Sequence, residues 1–272
     1  MTDRKILFLD IDDTLLTRDK KVTPENALAI RRALAAGHLV VICTGRPHSG
    51  AIGLAEETGV AGPGCFLISY NGGQIYDCSS GKNIYRKTLR LEDVRLLFEE
   101  ADALGLHIQA YSDREMLVRE VNRETEFYRS SVRIPYRVMP ELPDGMTEEP
   151  CKVLAIDLDE TGVLEKFRAA AISRVGDRIR LFTSNPWYME CAPKGISKGE
   201  AVRFLSDYTG IPVEQTVSAG DSENDLEMLK TAGIGCAMAN ATKGCREAAD
   251  YVTERDCDHS GVAEIIERFI LS

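Results

Sequence analysis

Residues 6–16, ILFLDIDDTLL, constrain the chain more than any other stretch, because an apolar run ends there in a cluster of carboxylates. The apolar residues 6–9 predict a buried strand. Asp10, Asp12 and Asp13 follow it directly. Like charges this close repel, and burying them is costly unless a cation or hydrogen bonds compensate. The pattern suits a hard divalent cation, or one carboxylate as nucleophile with a second as general acid/base. A simple acidic turn that closes a strand is the alternative interpretation.

Length and composition narrow the class of protein. The 272 residues suggest one large or two ordinary domains, and 44% hydrophobic residues suffice for a full core. A net charge of −10 without a basic block argues against nucleic acid or an anionic membrane as a partner. No apolar stretch is long enough to cross a bilayer, and the N-terminal MTDRK has no signal-peptide pattern. Because the eight cysteines are scattered without a CxxC pair, we expect a reduced, cytoplasmic protein. The sequence does not indicate an oligomeric state.

A second apolar run lies next along the chain and also ends in polar residues. Thr23 and Pro24 predict a helix start, and Gly37 its end. Residues 39–47, LVVICTGRP, then predict a strand that ends at Thr44 and Gly45. Strand, helix and strand in this order predict a parallel βαβ unit. Thr44 and Asp10 should therefore lie at the same edge of the sheet, where open α/β sheets bind ligands.

The middle of the chain has a different pattern. Residues 65–70 predict a strand, and the following Asn-Gly at 71–72 predicts a hairpin turn. From about residue 82 short strands alternate with amphipathic helices at 91–104 and 161–175, and residues 134–150 predict an irregular connection. The parallel-sheet pattern returns near residue 190. The sequence thus predicts a small α+β insertion between the two parts of a parallel-sheet domain.

Two further motifs lie in the C-terminal part. Ser197 and Glu200 form a capping-box pattern, which places Lys198 in the first turn of a helix. A lysine there is unfavourable against the helix dipole, so we expect it to serve an anion. A strand at 216–219 then ends in GDSEND, which contributes Asp221 and Asp225. A second strand thus leads directly into clustered acids.

The four motifs DIDDT, ICTG, SKGE and GDSEND, in this order, resemble the motifs of the haloacid dehalogenase superfamily of phosphotransferases. The insertion resembles the C2B cap of its Cof-type, or subfamily IIB, phosphatases, and NPWYMEC at 185–191 resembles the segment with which that group re-enters the core. The resemblance implies an α/β fold with a Rossmann-like, doubly wound parallel-sheet core and an inserted α+β cap. The implied division is residues 1–82 plus 188–272 for the catalytic core and 83–187 for the cap, which would set substrate specificity.

The resemblance also implies roles for individual residues. Asp10 would be the nucleophile that becomes a phosphoaspartate, and Asp12 the general acid/base. Mg²⁺ would be held by the Asp10 carboxylate, the Asp12 backbone carbonyl and Asp221. The phosphate would be bound by Thr44, Gly45, Lys198 and Asn224. Asp225 would hold these residues in position without contacting the phosphate itself.

The implied activity is hydrolysis of a small phosphorylated metabolite, such as a sugar phosphate. Dehalogenases of the superfamily lack the second aspartate, so Asp12 favours phosphoryl transfer. The membrane ATPase branch does not fit a chain without membrane helices. A phosphomutase of the same superfamily and a non-catalytic sensor of phosphorylated metabolites remain as alternatives.

Two other sequence features could be mistaken for a catalytic motif. Residues 153–161, VLAIDLDET, also place an apolar run before DxDxT, with LFTS at 181–184 as a possible second motif. That frame would leave the first βαβ unit unexplained, so we interpret Asp157 and Asp159 as surface acids on a cap strand. Cys43 could suggest a cysteine phosphatase, but the loop of those enzymes requires an arginine six residues later, where this chain has Ser49. We therefore interpret Cys43 as a core residue.

Overall fold

The computed structural model describes residues 4–132 and 134–272, and the chain divides into two compact units. The first unit comprises the described residues of Met1–Gly45, Ala51–Tyr85 and Ser197–Ser272, and the second those of Arg46–Gly50 and Arg86–Ile196. No helix among the described residues combines the length and apolar character needed to cross a bilayer.

Strands and helices alternate through most of the chain. The strands are β1 Ile6–Asp10, β2 Leu39–Cys43, β3 Cys65–Ser69, β4 Gln74–Asp77, β5 Lys82–Arg86, β6 His107–Tyr111, β7 Met116–Val118, β8 Tyr136–Val138, β9 Val153–Ile156, β10 Ile179–Asn185, β11 Tyr188–Pro193, β12 Thr216–Gly220, β13 Ile234–Ala237 and β14 Tyr251–Val252. The helices are α1 Pro24–Ala35, α2 His48–Thr58, α3 Leu91–Ala103, α4 Arg123–Val132, α5 Val163–Val175, α6 Lys198–Thr209, α7 Leu226–Thr231, α8 Lys243–Ala248 and α9 Gly261–Ile265. A π-type turn follows α9 at Ile266–Ile270, and another follows β1 at Ile11–Leu15.

The first unit is built on one sheet in the order β14-β13-β12-β1-β2-β3-β4-β5. The strands from β14 to β3 in this order are parallel, and the hairpin partner β4 is antiparallel. Every residue of β1 is buried, and its side chains alternate between two hydrophobic clusters. Leu7 and Leu9 pack with α1 and α9 on one face, and Ile6 and Phe8 pack with α6 on the other. Burial on both faces explains the continuous apolar run of β1, and it confirms the predicted doubly wound α/β fold.

The sheet order brings three strand ends together. β1 pairs in parallel with β12 on one side and β2 on the other. Leu9 is in register with Ala219 and Ile42, so β12, β1 and β2 end at one edge. The chain leaves β1 toward β2 and β3 and later continues through β12, β13 and β14 on the opposite side. This edge is therefore the topological switch point, the usual ligand position in open α/β sheets.

The second unit has its own sheet, in the order β10-β11-β9-β6-β7-β8. Neighbouring strands are antiparallel from β10 to β7, and β8 joins β7 in parallel. Helices α3 and α5 contribute Leu97, Phe98 and Phe167 to one hydrophobic cluster with the sheet residues Val153 and Met189. This unit is an α+β domain with a core separate from that of the first unit.

The structure corrects several sequence-based expectations. Residues 185–191 do not lead back into the core, because β11 pairs with β9 and β10 in the second sheet, and the first unit resumes only at Ser197. The stretch 134–150 contains the short strand β8. The helix predicted from residue 161 begins at Val163. Asp157 is buried rather than exposed, and both it and Asp159 follow β9 instead of lying on it.

Candidate active site

A buried ion cluster occupies the end of β1. The Lys198 ammonium lies 2.5 Å from Asp10 Oδ1 and 2.6 Å from Asp225 Oδ1. Lys198 and Asp225 are fully buried, and Asp10 is 6% exposed. Lys198 is the first residue of α6, whose N-cap Ser197 accepts a hydrogen bond from the Glu200 backbone N–H. Lys198 thus pairs with two carboxylates of the protein at the start of α6.

Asp221 completes the cluster from the end of β12. Its Oδ1 accepts a hydrogen bond of 3.0 Å from Thr14 Oγ1, which comes from the turn after β1. Asp225 Oδ2 accepts hydrogen bonds from the backbone N–H groups of Asp221 and Ser222 at 3.0 and 3.1 Å. Asp225 therefore fixes the loop that carries Asp221 while it also contacts Lys198.

Burial and charge strongly perturb these groups. Burial, and then the nearby Asp225 carboxylate, raise the pKa of Asp221 to about 7. Burial and Asp225 likewise raise the pKa of Asp10 well above its usual range, against the effect of Lys198. Burial alone would lower the pKa of Lys198, but Asp10 and Asp225 raise it instead, so the ammonium stays charged. The raised pKa values of Asp10 and Asp221 mean that additional positive charge beside them would favour their ionised forms.

The cluster fits a divalent cation. Asp10, Asp221 and Asp225 each offer a carboxylate oxygen, and these oxygens lie within 4.8 Å of one another. Three carboxylates and one ammonium carry a formal charge of −2 when all are ionised, which a divalent ion would neutralise. The all-oxygen donor set suits Mg²⁺. Both oxygens of Asp225 already accept hydrogen bonds, which leaves Asp10 and Asp221 as the better placed ligands.

Asp12 has a different environment from Asp10. The turn Ile11–Leu15 interrupts helical geometry at Asp12, and Asp13 adopts a left-handed conformation with φ of 60°. The Asp12 carboxylate is partly exposed and lies 3.0 Å from the Lys20 ammonium. The two acids of the motif are thus separated, because Asp10 lies in the buried cluster and Asp12 faces a solvent-accessible lysine.

The remaining motif residues lie at the ends of β2 and β12. Thr44 is buried directly after β2, and its carbonyl accepts a hydrogen bond of 2.9 Å from the Asn71 backbone N–H. Asn224 Nδ2 donates to Asn71 Oδ1 at 3.1 Å. The Asn71 side chain packs against Gly45, where an added Cβ would lie 3.0 Å from Asn71 Nδ2. Asn71 thus connects two of the predicted phosphate-binding segments, although Asn71-Gly72 suggested only a hairpin turn.

A family comparison decides what kind of protein carries this cluster. The model of the haloacid dehalogenase-like hydrolases matches residues 7–266, which is nearly the whole chain. The chain belongs to this family.

Relatives and solved structures of haloacid dehalogenase-like hydrolases agree with the assignment. A protein of Streptococcus pyogenes serotype M6 is 32% identical over 98% of this chain and 99% of its own length. The 5-amino-6-(5-phospho-D-ribitylamino)uracil phosphatase YcsE of Bacillus subtilis is 30% identical, covering 99% of this chain and 97% of that protein. A haloacid dehalogenase-like hydrolase structure from Bacteroides thetaiotaomicron is 31% identical with a TM-score of 0.91, covering 97% and 99% of the two chains. The resemblance inferred from the motifs and the prediction of a hydrolase are confirmed.

The rival motif of this haloacid dehalogenase-like hydrolase has a structural explanation. The Asp157 carboxylate accepts hydrogen bonds from the Thr161 backbone N–H and Oγ1, and thereby shapes the turn before α5. Asp159 pairs with Arg123. β9 is antiparallel to its neighbours, and β11 separates it from β10, which carries the supposed second motif. Residues 153–161 therefore lack the adjacent parallel strand that the second motif requires.

Cys43 behaves as the core residue that the sequence predicted. It is fully buried in β2, and burial raises the pKa of its thiol. A protonated thiol enclosed in this way is a poor nucleophile.

Proposed function

We propose that this chain is a Mg²⁺-dependent phosphatase that hydrolyses small phosphorylated metabolites through an aspartyl phosphate on Asp10. The observation that carries the proposal is the buried cluster in which Lys198 contacts both Asp10 and Asp225, with Asp221 beside them. A carboxylate can approach a phosphate dianion only where positive charge offsets the repulsion. The cluster supplies one fixed positive charge and the ligands for another.

Asp10 and Asp221 would hold Mg²⁺ through carboxylate oxygens, together with the Asp12 backbone carbonyl. When bound, Mg²⁺ would neutralise charge on the transferring phosphoryl group. Thr14 orients Asp221 through its hydrogen bond, and Asp225 orients the backbone of the same loop. Thr44, Gly45, Lys198 and Asn224 would bind the phosphoryl oxygens.

The first half-reaction transfers the phosphoryl group to the protein. An oxygen of the Asp10 carboxylate attacks phosphorus, and the bond between phosphorus and the leaving oxygen breaks. Asp12 gives its proton to that leaving oxygen. A separate acid is required because Asp10 must be ionised to attack. The partly exposed position of Asp12, outside the buried cluster, supports this division of roles.

The second half-reaction releases phosphate. Asp12, now ionised, takes a proton from water, and the water oxygen attacks phosphorus. The bond between phosphorus and the Asp10 oxygen breaks, which restores the carboxylate and yields inorganic phosphate. Two steps through a covalent intermediate replace one more difficult direct attack.

We further propose that the second unit selects the substrate as a cap domain. The sequence predicts cap boundaries of 83–187, and the compact second unit, Arg46–Gly50 with Arg86–Ile196, overlaps most of that range and supports the proposal. The Bacillus subtilis relative is described as acting on 5-amino-6-(5-phospho-D-ribitylamino)uracil, a phosphorylated sugar-alcohol derivative. Substrates of that class, together with sugar phosphates, are therefore the first to test.

The cellular compartment is part of the same proposal. All eight cysteines lie in the described part of the chain, where they form no disulfide bond, and most are buried. Cysteines kept as thiols suit a reducing compartment, so we place the reaction in the cytoplasm.

A phosphate-release assay tests the proposed function. The purified chain, with Mg²⁺, is incubated with a generic aryl phosphate and then with a panel of sugar phosphates, nucleotides and phosphorylated sugar alcohols. Mg²⁺-dependent release that is lost on replacement of Asp10 supports a phosphatase. Absence of release from every compound, despite binding, would contradict it and favour a sensor. Transfer to a second sugar in place of release would favour a phosphomutase.

A further inference from the structure

Asn71 lies where three segments of the proposed site meet. Its backbone N–H donates to the Thr44 carbonyl at 2.9 Å, and its side chain packs against Gly45. Its Oδ1 accepts a hydrogen bond from Asn224 Nδ2. The next residue, Gly72, lies so close to Ser197 that an added Cβ would be 2.3 Å from the Ser197 carbonyl oxygen. Asn71 is thereby held between the loops that follow β2 and β12 and the start of α6.

A chain of hydrogen bonds fixes the orientation of the Asn71 amide. Ser222 Oγ donates to Asn224 Oδ1 at 2.9 Å, so the Asn224 Nδ2 group must point away from Ser222. Asn224 Nδ2 then donates to Asn71 Oδ1, which leaves Asn71 Nδ2 as the free end of the chain. Among the side chains and backbone groups that the structure describes, no acceptor lies within hydrogen-bond distance of Asn71 Nδ2. Asn71 is 8% exposed, and its Nδ2 is not one of the buried side-chain atoms that lack a partner, so this donor is accessible to a ligand.

The backbone at Asn71 is also unusual. Tyr70 and Asn71 both adopt left-handed conformations, with φ of 53° and 54°. Non-glycine residues rarely adopt this conformation, and strained backbone of this kind clusters at ligand sites. The strain is retained because the contacts to Thr44, Asn224 and Ser197 hold the turn in place.

We propose that Asn71 is a substrate-binding residue, whose Nδ2–H donates a hydrogen bond to an oxygen of the substrate phosphoryl group. The inference rests on the proposed function, because it takes the adjoining Thr44 and Gly45 as phosphate ligands. A phosphoryl group has only acceptor oxygens here, which match a lone amide donor. The proposal also gives Asn224 a second role, since it orients Asn71 through their shared hydrogen bond.

Two variants remove the donor in different ways. Asn71→Asp keeps the size of the side chain and an acceptor for Asn224 but replaces Nδ2–H by a negative oxygen. Asn71→Gly deletes the side chain at a left-handed position that glycine tolerates. Asn83→Asp is the matched control, because exposed Asn83 also accepts a side-chain amide hydrogen bond through Oδ1, from Gln74 at 2.7 Å.

The first measurement is the rise in melting temperature that inorganic phosphate causes in the presence of Mg²⁺. We expect wild type and Asn83→Asp to show the same rise, and both Asn71 variants to need ~10- to 100-fold more phosphate for it, as for a lost hydrogen bond to a charged group. An unchanged phosphate dependence in Asn71→Asp and Asn71→Gly would overturn the proposal, whether or not the protein proves to be a phosphatase.

The second measurement is kcat/KM on the best substrate found. A loss of ~10- to 100-fold in both Asn71 variants, with Asn83→Asp unaffected, supports the proposal. Wild-type turnover that both Asn71 variants retain would overturn the role of Asn71 and leave the proposed function intact. If wild type has no turnover, the proposed function fails, and the phosphate dependence of the melting temperature still decides whether Asn71 binds the anion.

Discussion

The Lys198 ammonium lies 2.5 Å from the Asp10 carboxylate, although 188 residues separate them in the sequence. Asp10 ends β1, and Lys198 begins α6 after the whole second unit. The contact places a buried positive charge directly against the proposed nucleophile. Loss of either residue would leave the other as an uncompensated buried charge, which is strongly destabilising.

Replacement of the proposed nucleophile should abolish turnover. Asp10→Asn keeps the shape of the side chain but removes its charge and nucleophilicity, so we expect kcat to fall by more than about a thousandfold with the fold intact. Steady-state kinetics and circular dichroism are the measurements. Asp19→Asn, an exposed acid in the same segment, serves as the control and should keep full activity. Retention of a tenth of wild-type kcat by Asp10→Asn would rule out Asp10 as the nucleophile.

Removal of the buried ammonium should cost stability as well as activity. Lys198→Met leaves the three carboxylates without their fixed counter-charge, and we expect the free energy of unfolding to fall by about 3–5 kcal/mol. The loss should be larger at pH 8 than at pH 5, because protonation relieves the repulsion at low pH. Urea titrations at both pH values test this, with exposed Lys230→Met as the control. A Lys198→Met protein as stable as the control would show that Lys198 does not compensate the acids.

Metal dependence should follow the oxygen-only donor set. Asp10 and Asp221 favour Mg²⁺ over Zn²⁺, since no described histidine or cysteine joins their cluster. We expect EDTA to abolish phosphate release, Mg²⁺ to restore it, and Zn²⁺ to restore it poorly. Full activity in a preparation shown to be metal-free by elemental analysis would contradict the metal assignment.

The raised pKa of Asp221 predicts how Mg²⁺ and pH act together. The pKa rises from 3.8 in the unfolded chain to about 7 in the folded protein. Between these two pH values the folded state binds more protons than the unfolded chain. The stability that Asp221 contributes in its protonated form is therefore lost as the pH rises toward about 7. Mg²⁺ needs the ionised carboxylate, so its stabilising effect should grow from about pH 5 and level off above about pH 7.

Melting curves with and without Mg²⁺ across this range test the coupling. We expect the Mg²⁺-induced rise in melting temperature to increase with pH in wild type and to be small at every pH in Asp221→Asn. Asp207→Asn, which changes an exposed acid of α6, should behave like wild type. If the Mg²⁺-induced rise in melting temperature of wild type did not depend on pH, Mg²⁺ binding would not be coupled to the ionisation of Asp221.

The sequence predicted the first unit well because local pattern and topology coincide there. The apolar runs that end at Asp10 and Cys43 are buried on both faces and can form only central parallel strands, so their ends must share an edge. The boundary of the second unit was harder to predict. β11 is buried along its whole length like a core strand, and its pairing with β9 shows that it belongs to the second sheet.

Asn71 shows why part of the site was hidden in the sequence. An Asn-Gly pair after a strand is a common turn signal, and this turn is indeed a hairpin between β3 and β4. Its contact with Asn224 spans 153 residues and depends on the sheet order. The conformation of Asp12 could not be predicted either, because it depends on a π-type turn that no local sequence pattern indicates.

Direct capture of the intermediate tests the central claim. An aryl phosphate with a good leaving group needs no acid in the first step, so Asp12→Asn should still form the aspartyl phosphate but hydrolyse it slowly. The reaction is quenched during turnover and treated with borohydride, which reduces an aspartyl phosphate to homoserine, and the peptides are sequenced by mass spectrometry. We predict homoserine at position 10, with more in Asp12→Asn than in wild type. No homoserine in either protein, or homoserine at another aspartate, would contradict Asp10 as the residue that carries the phosphoryl group.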